Sequence, residues 1–238
     1  MIYFYCLYFF TIYSTLFSEI FEVKHFSEIT RYILPETLVL LDIDDTLLIP
    51  TQTLGTDVWF IYRLKHYQAQ ENDWLLALDK ALADWEAIRH LTQVKIVEEG
   101  TDKIISQLQK NHVTVMGLTT QGLALATRTI HQLNSLHIDL LKTAPSHEDH
   151  YFMNQQGVLY RQGILFTSGT VKGMALLKLL DKIDYRPRHI VFINDKEAHL
   201  RDVEKSVLAK GMDFIGLRYA YCDERVSHFQ PFPLGMAA

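Results

Sequence analysis

The chain has 238 residues, a formal net charge of -5 and two cysteines, Cys6 and Cys222. Its length suits one α/β domain with a sizeable core, or one domain with a small insertion, and is short for two full domains. The negative charge and the lack of a basic cluster argue against nucleic acid as the main partner. Two cysteines so far apart exclude a disulfide framework and a cysteine-based structural zinc site.

The first 18 residues carry no charged side chain. This pattern predicts a secretory leader, with the small residues Ser14, Thr15 and Ser18 near the cleavage point. A membrane anchor is one alternative, although a spanning helix needs about 20 apolar residues. An ordinary buried N-terminal segment is another. We expect an exported protein, periplasmic or secreted; the alternatives are a cytoplasmic protein or one anchored in the membrane by its N-terminus.

Apolar residues recur with helical spacing between Glu19 and Glu36, which predicts a helix that Pro35 ends. Four aliphatic residues follow, from Leu38 to Leu41, and the run stops at Asp42. Short apolar runs bounded by polar residues are typical of strands buried on both faces of a sheet. We therefore predict that the first strand of the sheet ends at Asp42.

Three carboxylates fall within four positions at the end of this strand: Asp42, Asp44 and Asp45, followed by Thr46. Packing gives no reason to place like charges so close, because they repel one another and raise each other's pKa. A bound cation or a shared proton would offset that cost. The segment from Asp42 to Thr46 is therefore the predicted active site.

Residues 50–97 differ in composition from the rest of the chain and contain all three tryptophans. Two helices are predicted here, one over about 56–68 and a second capped by Asn72 or Asp73. The apolar stripe predicted for the second helix consists of Leu75, Leu78, Leu82, Trp85 and Ile88. A helical insertion directly after a site at the edge of a sheet is typical of a lid over that site.

Beyond Gly100 the sequence alternates between helical and strand patterns, as in α/β folds. The predicted elements are a helix capped by Thr101, a strand over 112–118, a helix over about 123–133, a hairpin of 151–153 and 157–160, a helix capped by Thr170, a strand over 189–193, a helix containing Leu200 and a strand over 214–217. We predict an open parallel sheet, whose strands have their carboxyl ends along one edge.

Polar side chains of catalytic type follow three of the predicted strands. Asp42 to Thr46, Thr119 to Thr120 and Asn194 to Asp195 would then share one crevice. Lys172 falls in the first turn of a predicted helix, where the helix dipole disfavours a cation, so we expect it to point at an anion. Carboxylates, a hydroxyl and a lysine together predict a site for a divalent cation and a phosphoryl group. The chain has no glycine-rich Walker loop.

Four segments in order, L-V-L-L-D-I-D-D-T-L, V-T-V-M-G-L-T-T, S-G-T-V-K-G and H-I-V-F-I-N-D, resemble the four motifs of the haloacid dehalogenase-like (HAD) hydrolases. Finer features, among them E-I-F-E-V, L-G-T-D-V-W-F and I-G-L-R-Y-A-Y, resemble the DUF2608 family of bacterial HAD-like proteins. The resemblance covers nearly all of residues 19–232. It implies a three-layer Rossmann-like parallel sheet with a small helical cap inserted after the first strand, at about 50–97.

The resemblance also implies a Mg²⁺-dependent phosphatase. Asp42 would be the nucleophile and form an aspartyl phosphate, and Asp44 would be the general acid and base. Thr119 and Lys172 would hold the phosphoryl oxygens of a small phosphorylated substrate. Asp195, Asp42 and the backbone carbonyl of Asp44 would bind Mg²⁺. Dehalogenases of the superfamily lack the second aspartate, so Asp44 favours phosphate over carbon-halogen chemistry.

Two residues depart from the pattern of the superfamily. Asn194 stands where many relatives have a second aspartate, so the metal side of the site has one negative charge fewer. Asp45 stands where Gly or Asn is common, and we assign it no role. His199 is a candidate for supporting the metal site from behind, and Trp59 is the tryptophan most suited to contact a substrate.

The alternatives to a phosphatase are a catalytically weak exported binding or host-interaction protein and a phosphotransferase or mutase. No stable membrane partner is expected if the leader is cleaved, and the oligomeric state stays open.

Overall fold

The computed structural model describes residues 16–231. The predicted leader therefore lies almost wholly outside the described residues. The strands are β1 (Ser18–Val23), β2 (Thr37–Leu41), β3 (Leu48–Pro50), β4 (Val94–Ile96), β5 (Thr114–Thr119), β6 (His150–Met153), β7 (Gly157–Arg161), β8 (Ile164–Phe166), β9 (His189–Asn194) and β10 (Asp213–Tyr219). The helices are α1 (Asp57–Gln68), α2 (Trp74–Leu91), α3 (Thr101–Lys110), α4 (Ala126–Ser135), α5 (Lys172–Lys182), α6 (Glu197–Leu208) and α7 (Asp223–Ser227), with 3₁₀ helices at Phe26–Tyr32 and Leu123–Leu125.

Eight strands form the main sheet, in the order β1-β10-β9-β2-β5-β8-β7-β6. The pairs from β1 to β8 in this order are parallel, and β7 and β6 continue the sheet antiparallel. Strand β2 is central, and Leu41 pairs with Gly117 of β5 on one side and Ile193 of β9 on the other. The residues that follow β2, β5 and β9 therefore emerge at one edge of the sheet.

Strand β2 is apolar throughout because both faces of the sheet are covered. Leu38 and Leu40 belong to one core cluster, with α5 and α6, and Val39 and Leu41 belong to the other, with α3 and α4. Each such side chain contributes about 1.5–3 kcal/mol through burial. The predicted three-layer α/β fold with a mostly parallel sheet is confirmed.

The helix predicted between Glu19 and Glu36 is wrong. This segment forms the edge strand β1 and then the 3₁₀ helix at Phe26–Tyr32. Strand β1 pairs in parallel with β10 over its whole length. Its conformation is therefore determined by hydrogen bonds to a distant segment, and these outweigh the helical spacing of its apolar residues. The sheet therefore begins one strand earlier than predicted, and the helical insertion follows the second strand.

The helical insertion consists of α1 and α2 and is called the cap here. Strands β3 and β4 flank it and pair antiparallel, Leu48 with Ile96, which joins its two ends. Both cap helices are where the sequence predicts them. Thr56 and Asp73 are their N-caps, and each side chain accepts a backbone N–H hydrogen bond.

The stripe predicted for α2 is correct in part: Trp85 is buried and Leu78, Leu82 and Ile88 are half-buried, but Leu75 is not on the buried face. Leu75 is 65% exposed, and the buried residues of the helix are Ala77, Ala81, Trp85 and Arg89. These four are spaced by four positions, so they lie on one face of the helix. The small side chains of the two alanines let α2 pack closely, and Arg89 brings a charge to the end of that face.

Two predicted helix caps differ from the structure, and short elements were missed. Strand β8 and helix α7 were not predicted, the first because a three-residue strand has no readable period. Helix α5 begins at Lys172, and the hydroxyl of Thr170 donates to the carbonyl of Thr167 instead of capping the helix. Gly100, with φ +92°, is the N-cap of α3 in place of Thr101. None of the helices in residues 16–231 has both the length and the apolar character needed to cross a membrane.

Candidate active site

Asp42 lies directly after β2 and is paired with a buried lysine. The Nζ atom of Lys172 donates to Oδ1 of Asp42 at 2.6 Å, and only 1% of the lysine side chain and 9% of the aspartate side chain are exposed. The ammonium also lies 5.4 Å from the ring centre of Phe192 in β9. The lysine at the start of α5 is therefore tolerated because its partner is the predicted nucleophile.

Close packing of α5 against α6 positions this lysine. A Cβ atom on Gly173 would lie 2.2 Å from Oγ of Ser206 and 2.7 Å from the carbonyl oxygen of Asp202. Only glycine fits there, and the backbone N–H of Gly173 donates to the Asp202 carboxylate at 3.2 Å. The first turn of α5, which carries Lys172, is thereby held closely against α6.

Asp44 is held by one residue of the cap and one of the core. Its Oδ1 accepts from Nη1 of Arg89 at 2.6 Å, and its Oδ2 accepts from Nε2 of Gln121 at 2.7 Å. The other end of the Gln121 amide accepts the hydroxyl of Thr129 at 2.6 Å. Burial raises the pKa of Asp44, against the opposing effect of Arg89. The raised pKa favours a proton on Asp44, which suits a general acid.

Asp45 has a structural partner and a strained backbone. Its φ is +56°, its side chain is buried, and its carboxylate forms an ion pair with Arg225 of α7. Burial, together with the charge of Asp57, raises its pKa to about 7. Asp45 therefore connects the loop after β2 to helix α7.

Thr119 and Asp195 emerge at the same edge of the sheet as Asp42. The hydroxyl of Thr119, at the end of β5, accepts the backbone N–H of Gln121 at 3.2 Å. Asp195 follows β9, and its Oδ1 is buried with no hydrogen-bond partner among residues 16–231. Burial and the charge of Asp42 raise its pKa to about 8. The two predicted residues thus lie at the ends of β5 and β9, the strands on either side of β2, which Asp42 follows.

Asn194 and His199 form the layer behind Asp195. Asn194 is fully buried, and its Oδ1 accepts the backbone N–H of Lys196 at 2.8 Å, while its Nδ2 lies 3.5 Å from Nδ1 of His199. Burial and the charges of Lys172 and Lys196 lower the pKa of His199 to about 3. The imidazole is therefore neutral, and the asparagine shapes the turn that carries Asp195.

A second ion pair joins the cap to the core. Lys196, in the loop after β9, pairs with Asp57 in the first turn of α1. Burial alone would lower the pKa of Lys196. The negative charges of Asp57 and Asp195 outweigh this effect, so the pKa of Lys196 is raised. Together with the bond from Arg89 to Asp44, this pair holds the cap over the site.

The donor set fits a magnesium ion. No group of three or more His, Cys, Asp or Glu side chains in the described part of the chain is arranged to hold a metal. The predicted set needs only two, Asp42 and Asp195, with the backbone carbonyl of Asp44, and Mg²⁺ commonly uses one or two carboxylates with waters and substrate phosphates. An oxygen-bound cation would relieve the unpaired Oδ1 of Asp195 and its repulsion with Asp42.

The sequence profile of the family described as Protein of unknown function (DUF2608) matches residues 22–233. The chain belongs to the DUF2608 family. The resemblance noted in the sequence is therefore confirmed over most of its length.

Relatives of this DUF2608 protein occur in Chlamydia, where they are provisionally named as outer membrane proteins. One from Chlamydia pneumoniae is 23% identical over 228 residues, covering 90% of this chain and 82% of its own length. Another from the same species is 25% identical, with 83% and 76% covered. One from Chlamydia trachomatis is 23% identical, with 90% and 83% covered.

Solved structures similar to this DUF2608 protein include two hydrolases. One is a haloacid dehalogenase-like family hydrolase from Streptococcus pneumoniae, at 11% identity and TM-score 0.44, covering 82% of this chain and 98% of its own. The other is a hydrolase from Pseudomonas syringae, at 13% identity and TM-score 0.42, with 82% and 99% covered.

The sequence identified the residues after the strands but missed their partners. Arg89, Gln121, Asp57 and Lys196 all contact or flank the predicted acids and were not among the candidates. Gln121 lies two positions after Thr119, and Lys196 lies one position after Asp195. Their closeness to the motifs was the signal by which these two residues could have been found. Trp59 lies in a buried cluster with Trp85 and Leu125, and its contact with substrate stays a prediction.

Proposed function

We propose that this chain is a Mg²⁺-dependent phosphatase that hydrolyses phosphate monoesters through an aspartyl phosphate on Asp42. The observation that carries the proposal is the buried pair of Asp42 and Lys172 beside Asp44, at the edge where β2, β5 and β9 end. A carboxylate nucleophile, a second acid and a lysine for anionic oxygens are the parts that phosphoryl transfer through an aspartate requires.

The first step transfers the phosphoryl group to the protein. An oxygen of Asp42 attacks phosphorus and forms a bond to it, while the bond from phosphorus to the leaving oxygen breaks. Lys172, 2.6 Å from Oδ1 of Asp42, orients this carboxylate and offsets the charge of the incoming anion. The hydroxyl of Thr119 on the neighbouring strand binds a phosphoryl oxygen.

Asp44 moves the protons in both steps. It gives its proton to the leaving oxygen, and its raised pKa favours the protonated form that this requires. It then takes a proton from the water whose oxygen attacks phosphorus. The bond between phosphorus and Asp42 breaks, inorganic phosphate leaves, and Asp44 is protonated again.

Asp42, Asp195 and the backbone carbonyl of Asp44 would hold Mg²⁺. When bound, the ion supplies positive charge against the phosphoryl oxygens. The two ion pairs between cap and core help exclude bulk water from this site.

A panel of phosphate monoesters, assayed with Mg²⁺ and with a chelator, tests the proposal. We expect turnover that needs Mg²⁺ and falls by about a thousandfold or more in Asp42→Asn. Asp181→Asn, which changes an exposed aspartate on α5, is the matched control and should keep wild-type activity. The proposal fails if neither protein turns over any ester of a broad panel, or if Asp42→Asn is as active as wild type.

We also propose that the protein is exported. The uncharged first 18 residues and the provisional naming of the Chlamydia relatives as outer membrane proteins support this. N-terminal sequencing of the mature protein should find a start near residue 18, and an intact Met1 on protein recovered from the cytoplasm would contradict it.

A further inference from the structure

Arg89, in the last turn of α2, has only one of its three guanidinium nitrogens in a hydrogen bond. Nη1 donates to Asp44 at 2.6 Å. The side chain is 1% exposed, and Nε and Nη2 are buried with no partner within residues 16–231. An arginine stays charged inside a protein, so its unpaired N–H groups carry the full cost of losing water. A buried arginine in this condition is incomplete without a further acceptor.

The two unpaired nitrogens form one binding edge. Nε and Nη2 present parallel N–H groups on one side of the guanidinium, a geometry that matches two oxygens of a carboxylate or a phosphate. Asp44 occupies the opposite side, so this edge is intact. The neighbouring carboxylates have partners of their own, since Asp57 pairs with Lys196 and Asp45 with Arg225. The missing acceptor is therefore best supplied by a ligand.

Contacts on both sides of Arg89 hold its binding edge in place. The carbonyl of Thr92, three residues later, accepts from Arg128 at 2.8 Å and from Gln132 at 3.1 Å, which ties the end of α2 to α4. One turn earlier, the ring of Trp85 lies 5.3 Å from the guanidinium. An edge fixed in this way loses little freedom when it binds.

The position of Arg89 indicates which part of a substrate it meets. Lys172 and Thr119 belong to the core, while Arg89 reaches Asp44 from the cap. In the proposed reaction Asp44 protonates the leaving oxygen, so a cap residue bound to Asp44 borders the leaving group. We propose that Arg89 binds a second oxyanion, a carboxylate or a second phosphate, carried by the leaving-group half of the substrate. This inference rests on the proposed phosphatase function.

Matched substrate pairs test the proposal. 3-Phosphoglycerate and glycerol 3-phosphate differ by a carboxylate, and fructose 1,6-bisphosphate and fructose 6-phosphate differ by a second phosphate. We expect wild type to prefer the more anionic member of at least one pair by about tenfold or more in kcat/KM, and the pair that responds identifies the anion. In Arg89→Met the ratio of the two kcat/KM values should fall to about one, and in Arg89→Lys it should lie between this value and that of wild type.

The control variant is Arg63→Met, which removes another cap arginine that pairs with Asp84 away from Asp44. It should keep the wild-type preference. An Arg89→Met variant that loses activity equally on both members of each pair would overturn the proposal, because Arg89 would then only position Asp44. If Arg89→Met fails to fold by circular dichroism, Arg89→Lys decides in the same way.

Binding separates this inference from the proposed function. Calorimetric titration of the same compounds into Asp42→Asn, with and without Arg89→Met, measures the subsite without turnover. Tighter binding of the more anionic member that depends on Arg89 would support the subsite even if wild type hydrolyses nothing. Equal binding of both members, or no binding of either, would overturn it.

Discussion

Each of the three carboxylates after β2 has a different cationic partner. Asp42 pairs with Lys172, Asp44 with Arg89 and Asp45 with Arg225, at separations of 130, 45 and 180 positions along the chain. This is how three like charges in four positions are tolerated. The run of acids could be recognised from the sequence because its cost is local. Of the three partners, Lys172 could also be recognised, from its place in the first turn of a predicted helix and in the third motif. Arg89 and Arg225 could not, because only the fold brings them to Asp44 and Asp45.

His199 makes a residue-scale prediction about acid stability. Its pKa in the folded protein is lowered to about 3 from an ordinary 6.5, so the unfolded chain takes up a proton that the folded one refuses as the pH falls below 6.5. The stability that the neutral imidazole contributes is full above pH 6.5 and is lost towards pH 3. Between pH 7.5 and pH 5 the loss is about 2 kcal/mol.

Urea unfolding at these two pH values checks the prediction. Asp45 and Asp195 have raised pKa values and act in the opposite direction, so the informative quantity is the difference between wild type and His199→Gln. The free energy of unfolding of wild type minus that of the variant should be about 2 kcal/mol smaller at pH 5 than at pH 7.5. His131→Gln, at an exposed position of α4, should follow wild type. A His199→Gln curve parallel to wild type would contradict it.

At the scale of elements, the sequence predicts helices well where caps and spacing agree. Thr56, Asp73 and the spacing of Leu200, Val203 and Val207 locate three helices. Prediction from the sequence fails where pairing with a distant strand determines the local structure. Strand β1 contains apolar residues at helical spacing, but its hydrogen bonds go to β10, almost 200 positions away. Arg89 was missed because a charged residue on a helix is expected to face solvent.

Helix α5 supplies the element-scale prediction, through its contact with α6. Gly173→Ala would place a methyl group 2.7 Å from the backbone carbonyl oxygen of Asp202, which cannot rotate away as the Ser206 hydroxyl can, so α5 must move and carry Lys172 away from Asp42. We expect a loss of about 1–3 kcal/mol in the free energy of unfolding. Activity on phosphate monoesters should fall about tenfold or more, because small misplacements of a catalytic group are costly.

Urea unfolding and steady-state kinetics measure both effects. Met174→Ala, at the next and half-exposed position of the same turn, is the control and should change activity little. Equal behaviour of the two variants would show that the close approach of α5 to α6 does not position the lysine.

At the scale of the whole molecule, the C-terminal segment from α7 to Phe229 bridges the core and the cap. Arg225 pairs with Asp45 in the loop after β2, and the ring of Phe229 lies 6.1 Å from that of Tyr62 on α1. Phe229 also packs against the cap cluster that contains Trp59 and Trp85. This segment thus contacts both the loop after β2 and the cap, the two parts that must stay together for the site to be closed.

Phe229→Ala should therefore loosen the cap and leave the sheet unchanged. Losing the aromatic contact removes about 1.5 kcal/mol from local cap stability, so amide hydrogen exchange in α1 and α2 should become about tenfold faster. Exchange in β2 and β5 should stay at the wild-type rate, since the buried apolar residues of these strands belong to the two core clusters and not to the cap cluster that Phe229 packs against. Exchange that quickens equally in cap and sheet would indicate global destabilisation, and an unchanged cap would show that Asp57, Arg89 and their partners hold it closed without the C-terminal segment.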